Sequence, residues 1–126
     1  MNQALTIPAN TAHLAFQDGK VVPRGSMSQV DQYHVNCRFE VKTLSDTSQQ
    51  IAADTFDIIK VQDLTTGATG YSTHNFATRL MLSSSAQPDV YQMTCQQWSD
   101  ASELDYPSIA LMEKAWGDAF TLQLRP

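Results

Sequence analysis

A chain of 126 residues fits one ordinary domain and is too short for two. Its charged share of 17 % is low and its hydrophobic share of 42 % is ordinary, which excludes a disordered chain and a coiled coil. The net charge is −5, and Lys20, Arg24, Arg38, Lys42, Lys60, Arg79, Lys114 and Arg125 are scattered singly, so the sequence lacks the basic run that marks a nucleic-acid or anionic-lipid binder.

From the start of the chain, alternation of apolar and polar residues is the dominant signal, the period of a half-buried strand. Leu5 and Ile7 alternate with polar neighbours until Pro8-Ala9-Asn10 breaks the run. A second strand is predicted over residues 12–17, with Asp18-Gly19 as a turn into Lys20-Val21-Val22. Val22-Pro23-Arg24-Gly25-Ser26-Met27 matches a thrombin-cleavage scar, but strand-like sequence precedes it and the match is read as coincidence within a loop.

Tyr33, Val35, Cys37, Phe39 and Val41 fall on one face of the next strand, with His34, Asn36, Arg38 and Glu40 on the other. A polar loop is expected over 43–50, then a strand over 55–64. There the alternation changes phase at Ile58-Ile59, the mark of a bulge or of burial on both faces. Thr65 to Gly70 reads as a flexible connection. Phe76, Thr78, Leu80 and Leu82 then alternate with Ala77, Arg79 and Met81, and after a loop over 83–88, Tyr91, Met93 and Cys95 alternate with Gln92, Thr94 and Gln96.

The one helix is predicted over 107–116, with Pro107 in its first turn, Ser108 or Asp105 as cap and Gly117 as stop. Phe120, Leu122 and Leu124 read as a final strand. The expectation is a single β-rich domain over 1–126: an all-β sandwich or partly open barrel of about six to eight short antiparallel strands with one late α-helix, α+β being the alternative.

Cys37 and Cys95 both fall on apolar strand faces, so both point inward and a disulfide between them is expected. They are 58 positions apart, and closing a loop of that size is worth roughly 4 kcal/mol. Two separate buried thiols are the alternative. A metal site with His34 and His74 is disfavoured, because His34 and Cys37 face opposite sides of one strand. Nothing marks a base beside either cysteine, so no catalytic thiol is read.

Phe16-Gln17-Asp18-Gly19, Asp31-Gln32-Tyr33, Cys37-Arg38-Phe39-Glu40-Val41 and Met93-Thr94-Cys95 together resemble a set of Gram-negative cell-envelope proteins of unknown function, often described as lipoproteins. The resemblance implies export to the periplasm or the outer membrane, a paired-cysteine scaffold and a lipid-anchored N-terminus. The lipobox cysteine itself is missing here, and Met1 leads into polar Asn2 and Gln3 rather than a signal peptide, so the signal sequence is read as absent from this chain. No apolar run approaches the roughly 18 residues of a membrane span. The family supplies no activity, ligand or catalytic residue.

The remaining chemistry is sparse. His13 and His34 fall on outward strand faces and His74 opens a strand, each reading as a surface residue. Ser83-Ser84-Ser85 lacks a nucleophile elbow. Asp54 and Asp57 do not complete a calcium loop and read as strand flanks. Asp100, Glu103 and Asp105 form an acidic cluster before the helix, and with Trp98, Tyr106 and Trp116 they are the candidate binding patch. No catalytic residue, metal or cofactor is assigned. The leading expectation is a non-catalytic module binding another envelope protein or a cell-wall component. A small-ligand carrier with an apolar cavity comes next, and a hydrolase using the acidic cluster last.

Overall fold

The structure is a computed structural model that describes residues 1–22, 30–67, 73–100 and 105–123. Two antiparallel sheets and one short helix enclose a single core. A two-stranded ribbon pairs β1 (Leu5–Ile7) with β5 (Gln49–Ile51). The main sheet comprises β2 (His13–Gln17), β3 (Lys20–Val22), β4 (Asn36–Val41), β6 (Asp57–Gly67), β7 (Thr73–Ser83) and β8 (Val90–Asp100), in the order β3-β2-β4-β8-β7-β6. It is therefore open, with β3 and β6 as its edges. The helix α1 (Ile109–Trp116) runs into a 3-10 turn over Gly117–Ala119. No helix among the described residues is long and apolar enough to cross a membrane.

The sheet is two local units sewn together. The hairpin β2–β3 turns at Asp18 and Gly19, both with positive φ as a two-residue hairpin turn requires, and β4 joins it on the other side of β2. The second unit is the meander β6–β7–β8. They meet at β4–β8, where Cys37 lies directly opposite Cys95, the Cα atoms 4.0 Å apart, and the two form a disulfide. The short separation belongs to the close kind of opposed antiparallel pair. Both cysteines are fully buried.

Alternation from this pair defines the two faces. The inward face carries Leu14, Phe16, Phe39, Leu80 and Met93, covered by Leu5, Ile7 and Ile51 of the ribbon and by Met112, Ala115 and Trp116 of α1. Ser108 caps the helix by accepting from Leu111 N, as expected from the sequence. Gly117, at φ 57°, ends it and donates its N–H to Glu113 O.

Four expectations need correction. Residues 33–35 are not strand: the Asp31 carboxylate accepts from Tyr33 N at 3.0 Å, and Asp31 O accepts from His34 N at 3.1 Å. That local turn removes backbone donors from the ladder. Tyr33 consequently swings outward, 60 % exposed, with its ring edge-on to Trp98 at 5.6 Å. The polar 43–50 segment hides the start of β5, whose only buried side chain is Ile51. Strand β6 extends to Gly67, so part of the expected flexible connection is ladder; residues 68–72 lie outside the described residues. Finally, residues 120–123 form no strand. Phe120 lies over the sheet, its ring 5.6 Å from Phe16 and 5.3 Å from Phe39, not at an edge where a ladder could form. Leu124 is outside the described residues, as is Pro23 to Gln29, which includes most of the scar-like hexapeptide.

The phase change in β6 is a bulge, with the register shifting between Ile58 and Lys60. Ile59 is 66 % exposed, so the alternative of burial on both faces does not hold.

The hairpin turn and the helix end touch backbone to backbone. Gly19 N donates to Ala115 O at 3.0 Å. A Cβ on Gly117 would sit 2.7 Å from Gly19 Cα and 2.9 Å from Gly19 O, with no flexible side chain able to give way. Gly117→Ala therefore adds a steric clash to a left-handed backbone and is expected to cost about 1–3 kcal/mol. Urea unfolding followed by circular dichroism checks this; a wild-type midpoint would contradict it.

Candidate functional site

Only part of the inward sheet face is covered. The ribbon and α1 sit over β2, β4 and the near side of β8, whereas β6 and β7 continue beyond them. There Leu80 and Leu82 of β7, Ile58 of β6 and Met93 of β8 face Phe56, Phe120 and Leu122 across a groove of about 920 Å³. Trp116 lines it from the helix side, and Asn2, Asp54, Thr55, Asp57, Thr121 and Gln123 supply its polar border. The volume lies in the range of small-molecule sites, and the lining is mixed, the polar border exposing at least as much surface as the apolar walls.

Two features of the groove bear on its chemistry. Trp116 is only 3 % exposed, and its buried indole Nε1 has no acceptor among the described residues. A buried donor left without a partner is unfavourable. The second is charge: Asp54 and Asp57 are acidic, the Met1 ammonium lies beside Asp54 and donates to its backbone O at 2.8 Å, and no Lys or Arg lines the groove.

Asp54 holds one wall in place. Its carboxylate accepts from Ser84 Oγ at 2.6 Å, Gln87 Nε2 at 3.1 Å and its neighbour Thr55 N at 2.7 Å. Gln87 also exchanges hydrogen bonds with the backbone of Ala52, its Oε1 accepting from Ala52 N and its Nε2 donating to Ala52 O, both at 3.0 Å. The segment entering β6 is thereby tied to the loop between β7 and β8. The hydrogen bond from Ser84, then that from Gln87, holds the Asp54 carboxyl below its ordinary pKa.

The residues of the candidate patch are divided rather than gathered. Trp116 is core and lines the groove. Tyr106 packs edge-on against Phe76 at 5.4 Å, its hydroxyl bonded to Thr65 Oγ1. Asp105 O accepts from Gln97 Nε2 at 2.7 Å, which puts this segment at the inward side of the sheet. Trp98, one residue on from Gln97, projects from the opposite face beside Tyr33. Asp100 is exposed at the end of β8, and Glu103 lies outside the described residues.

The histidines are separate. His34 sits 3.4 Å from Asp31 on the surface. His74 packs loosely against Phe76. His13 pairs opposite Glu40 on the outward face, and partial burial, then the charge of Arg38, lowers its pKa against the pull of Glu40. Among the described residues no cluster of three His, Cys, Asp or Glu forms, and Cys37 is not a free thiol.

The groove was not anticipated from sequence, because no residue type marks it. Its faint trace is the phase change at Ile58-Ile59, where the apolar side chains outnumber those a covered strand needs. The chain matches no protein family, no curated protein and no solved structure with which it was compared.

A carboxyl whose folded pKa is depressed contributes stability above its unfolded pKa and loses it as pH falls through the folded value. Asp54→Asn should therefore be less stable than wild type at neutral pH. The difference should shrink as pH falls below the ordinary carboxylate range, which denaturant midpoints measured across the acid limb will follow.

Proposed function

We propose that this chain is an exported, non-catalytic binding module of the cell envelope that takes a small neutral amphiphile in the groove between β6–β7 and Phe120–Leu122. The observation that carries the reading is the groove itself: about 920 Å³ between apolar side chains of β6, β7 and β8 on one side and Phe56, Phe120 and Leu122 on the other, with polar residues along its border. An acyl chain gains by replacing water there, at roughly 25 cal/mol per Å² of apolar surface buried. Two carboxylates against one ammonium on the border disfavour an anionic head group.

Export is supported by the buried Cys37–Cys95 bond, since disulfides persist in oxidising compartments. The likeness to envelope proteins noted from the sequence agrees with it. A periplasmic or outer-membrane location follows as part of the same proposal.

A second reading, in which the partner is another envelope protein, draws on β6. This edge strand is 11 residues long, and Ile59 and Val61 are 66 % and 60 % exposed. Such an edge can accept a partner strand, although its bulge and Lys60 work against indiscriminate pairing.

The two tryptophans separate the faces and allow a direct test. In Trp98→Phe, which keeps Trp116, a bromine-labelled lauroyl glycerol ester should quench fluorescence saturably. In Trp116→Phe, which keeps Trp98, it should not. Leu82→Arg should weaken quenching by roughly tenfold or more, the scale of one buried charge in an apolar site. Equal quenching of both tryptophans would reject the groove as the site.

A further inference from the structure

The outward face of the main sheet carries chemistry that the groove does not use. Arg38 of β4 lies directly opposite Thr94 of β8, and Arg79 of β7 lies directly opposite Thr94 from the other side. Two arginine stems thus rise from one transverse row, flanking a hydroxyl, about 10 Å apart by strand spacing. The adjacent row holds Glu40, Gln92, Met81 and Lys60.

Glu40 is the one carboxylate in these two rows, and it is already engaged. Gln92 Nε2 and Thr94 Oγ1 both donate to its Oε2, the latter at 3.2 Å, and Arg38 stands 3.8 Å from its Oε1. Arg79 has no carboxylate partner among the described residues. The Nε atoms of Arg38 and Arg79 are both buried without an acceptor, and Asn75 Oδ1, farther along the same face, is buried without a donor. Of the four such atoms among the described residues, three fall on this face, which marks it as chemically incomplete.

Charge adds a second, independent observation. A chain with 8 basic and 13 acidic side chains gathers Arg38, Lys60 and Arg79 here around one neutralising carboxylate. The resulting local field favours an anion. Arg38 keeps its side chain 38 % exposed, so an anion arriving from solvent can reach it. One carboxylate would be satisfied by one arginine fork, whereas two forks around a hydroxyl suit a tetrahedral dianion with oxygens for both.

The geometry points to a binding site for a phosphate group, held between Arg38 and Arg79 above Thr94. The anion accepts from the terminal N–H groups of the two guanidiniums, and Lys60 adds charge from the adjacent row. The site lies on the opposite side of the sheet from the amphiphile groove and does not depend on it. The phosphate can be the free ion or a monoester carried by a larger molecule, and the chemistry of recognition is the same.

The test follows the arginine Nε–H resonances of the intact, oxidised chain by NMR. Inorganic phosphate and glycerol phosphate are titrated separately at constant ionic strength, with chloride as the balancing anion. Saturable shifts confined to Arg38 and Arg79 are expected with at least one of the two. Arg79→Gln, which breaks no ion pair to a described residue, should weaken binding roughly tenfold, and Arg38→Gln at least as much. Tighter binding of the ester would support a phosphorylated ligand, and tighter binding of inorganic phosphate would support the free ion. Shifts spread over all arginines, no saturation with either probe, or unchanged affinity in Arg79→Gln would overturn the site.

Discussion

The pairing of β4 with β8 is the seam on which the whole molecule depends, and Cys37–Cys95 is the bond across it. On one side lies a unit closed by an Asp-Gly turn and on the other a three-strand meander. Each can form from its own stretch of chain, but neither can bury its inward face alone. Joining them brings together positions 58 apart in sequence, the kind of contact whose loop-closure entropy is paid before packing rewards it. A covalent link at that place removes part of this entropy from the unfolded chain, on the scale of a few kcal/mol. Since ordinary domains are stable by only about 5–15 kcal/mol, the seam is a large share of the balance.

What is packed over the seam explains what is left open beside it. The helix, the ribbon and Phe120 all converge on Phe16, Phe39 and the disulfide, and the Gly19–Gly117 contact fixes the helix end against the β2–β3 turn. The chain thus spends its one helix and its short ribbon on the half of the sheet nearest β4. The meander strands, each 11 residues long, reach past that cover. The groove is therefore a consequence of sheet width: Leu80 and Leu82 of β7 and Ile58 of β6 are level with the Phe39–Val41 end of β4 but lie on the strands beyond β8, and Asp54, Ser84 and Gln87 tie the segment entering β6 to the β7–β8 loop beside them.

Much of the fold was legible in the sequence because strand alternation is a local signal. The Asp18-Gly19 turn, the bulge at Ile58-Ile59, the Ser108 cap and the inward direction of both cysteines all follow from neighbouring residues. What escaped depends on distant ones. Tyr33 belongs by period to the strand that follows, yet the side chain of Asp31 captures its backbone N–H. Gln49–Ile51 is strand only because β1 lies beside it. Phe120 and Leu122 alternate like a strand but lie over the sheet face. Of the expected patch, Trp98 lies on the outward face beside Tyr33 while Trp116 is buried over the inward one, a division that the neighbouring positions of Trp98 do not reveal. The groove is defined by where cover stops, which no single segment encodes.

We place the binding surface at the groove beside β6 and β7. Backbone amide NMR of the oxidised chain, titrated with a neutral lauroyl glycerol ester, tests it most directly. Saturable shifts are expected at Phe56, Ile58, Leu80, Leu82 and Trp116, with Arg38, Thr94 and Arg79 on the other face left unchanged. Shifts concentrated on that outward face, or none at ligand saturation of the solvent, would contradict it.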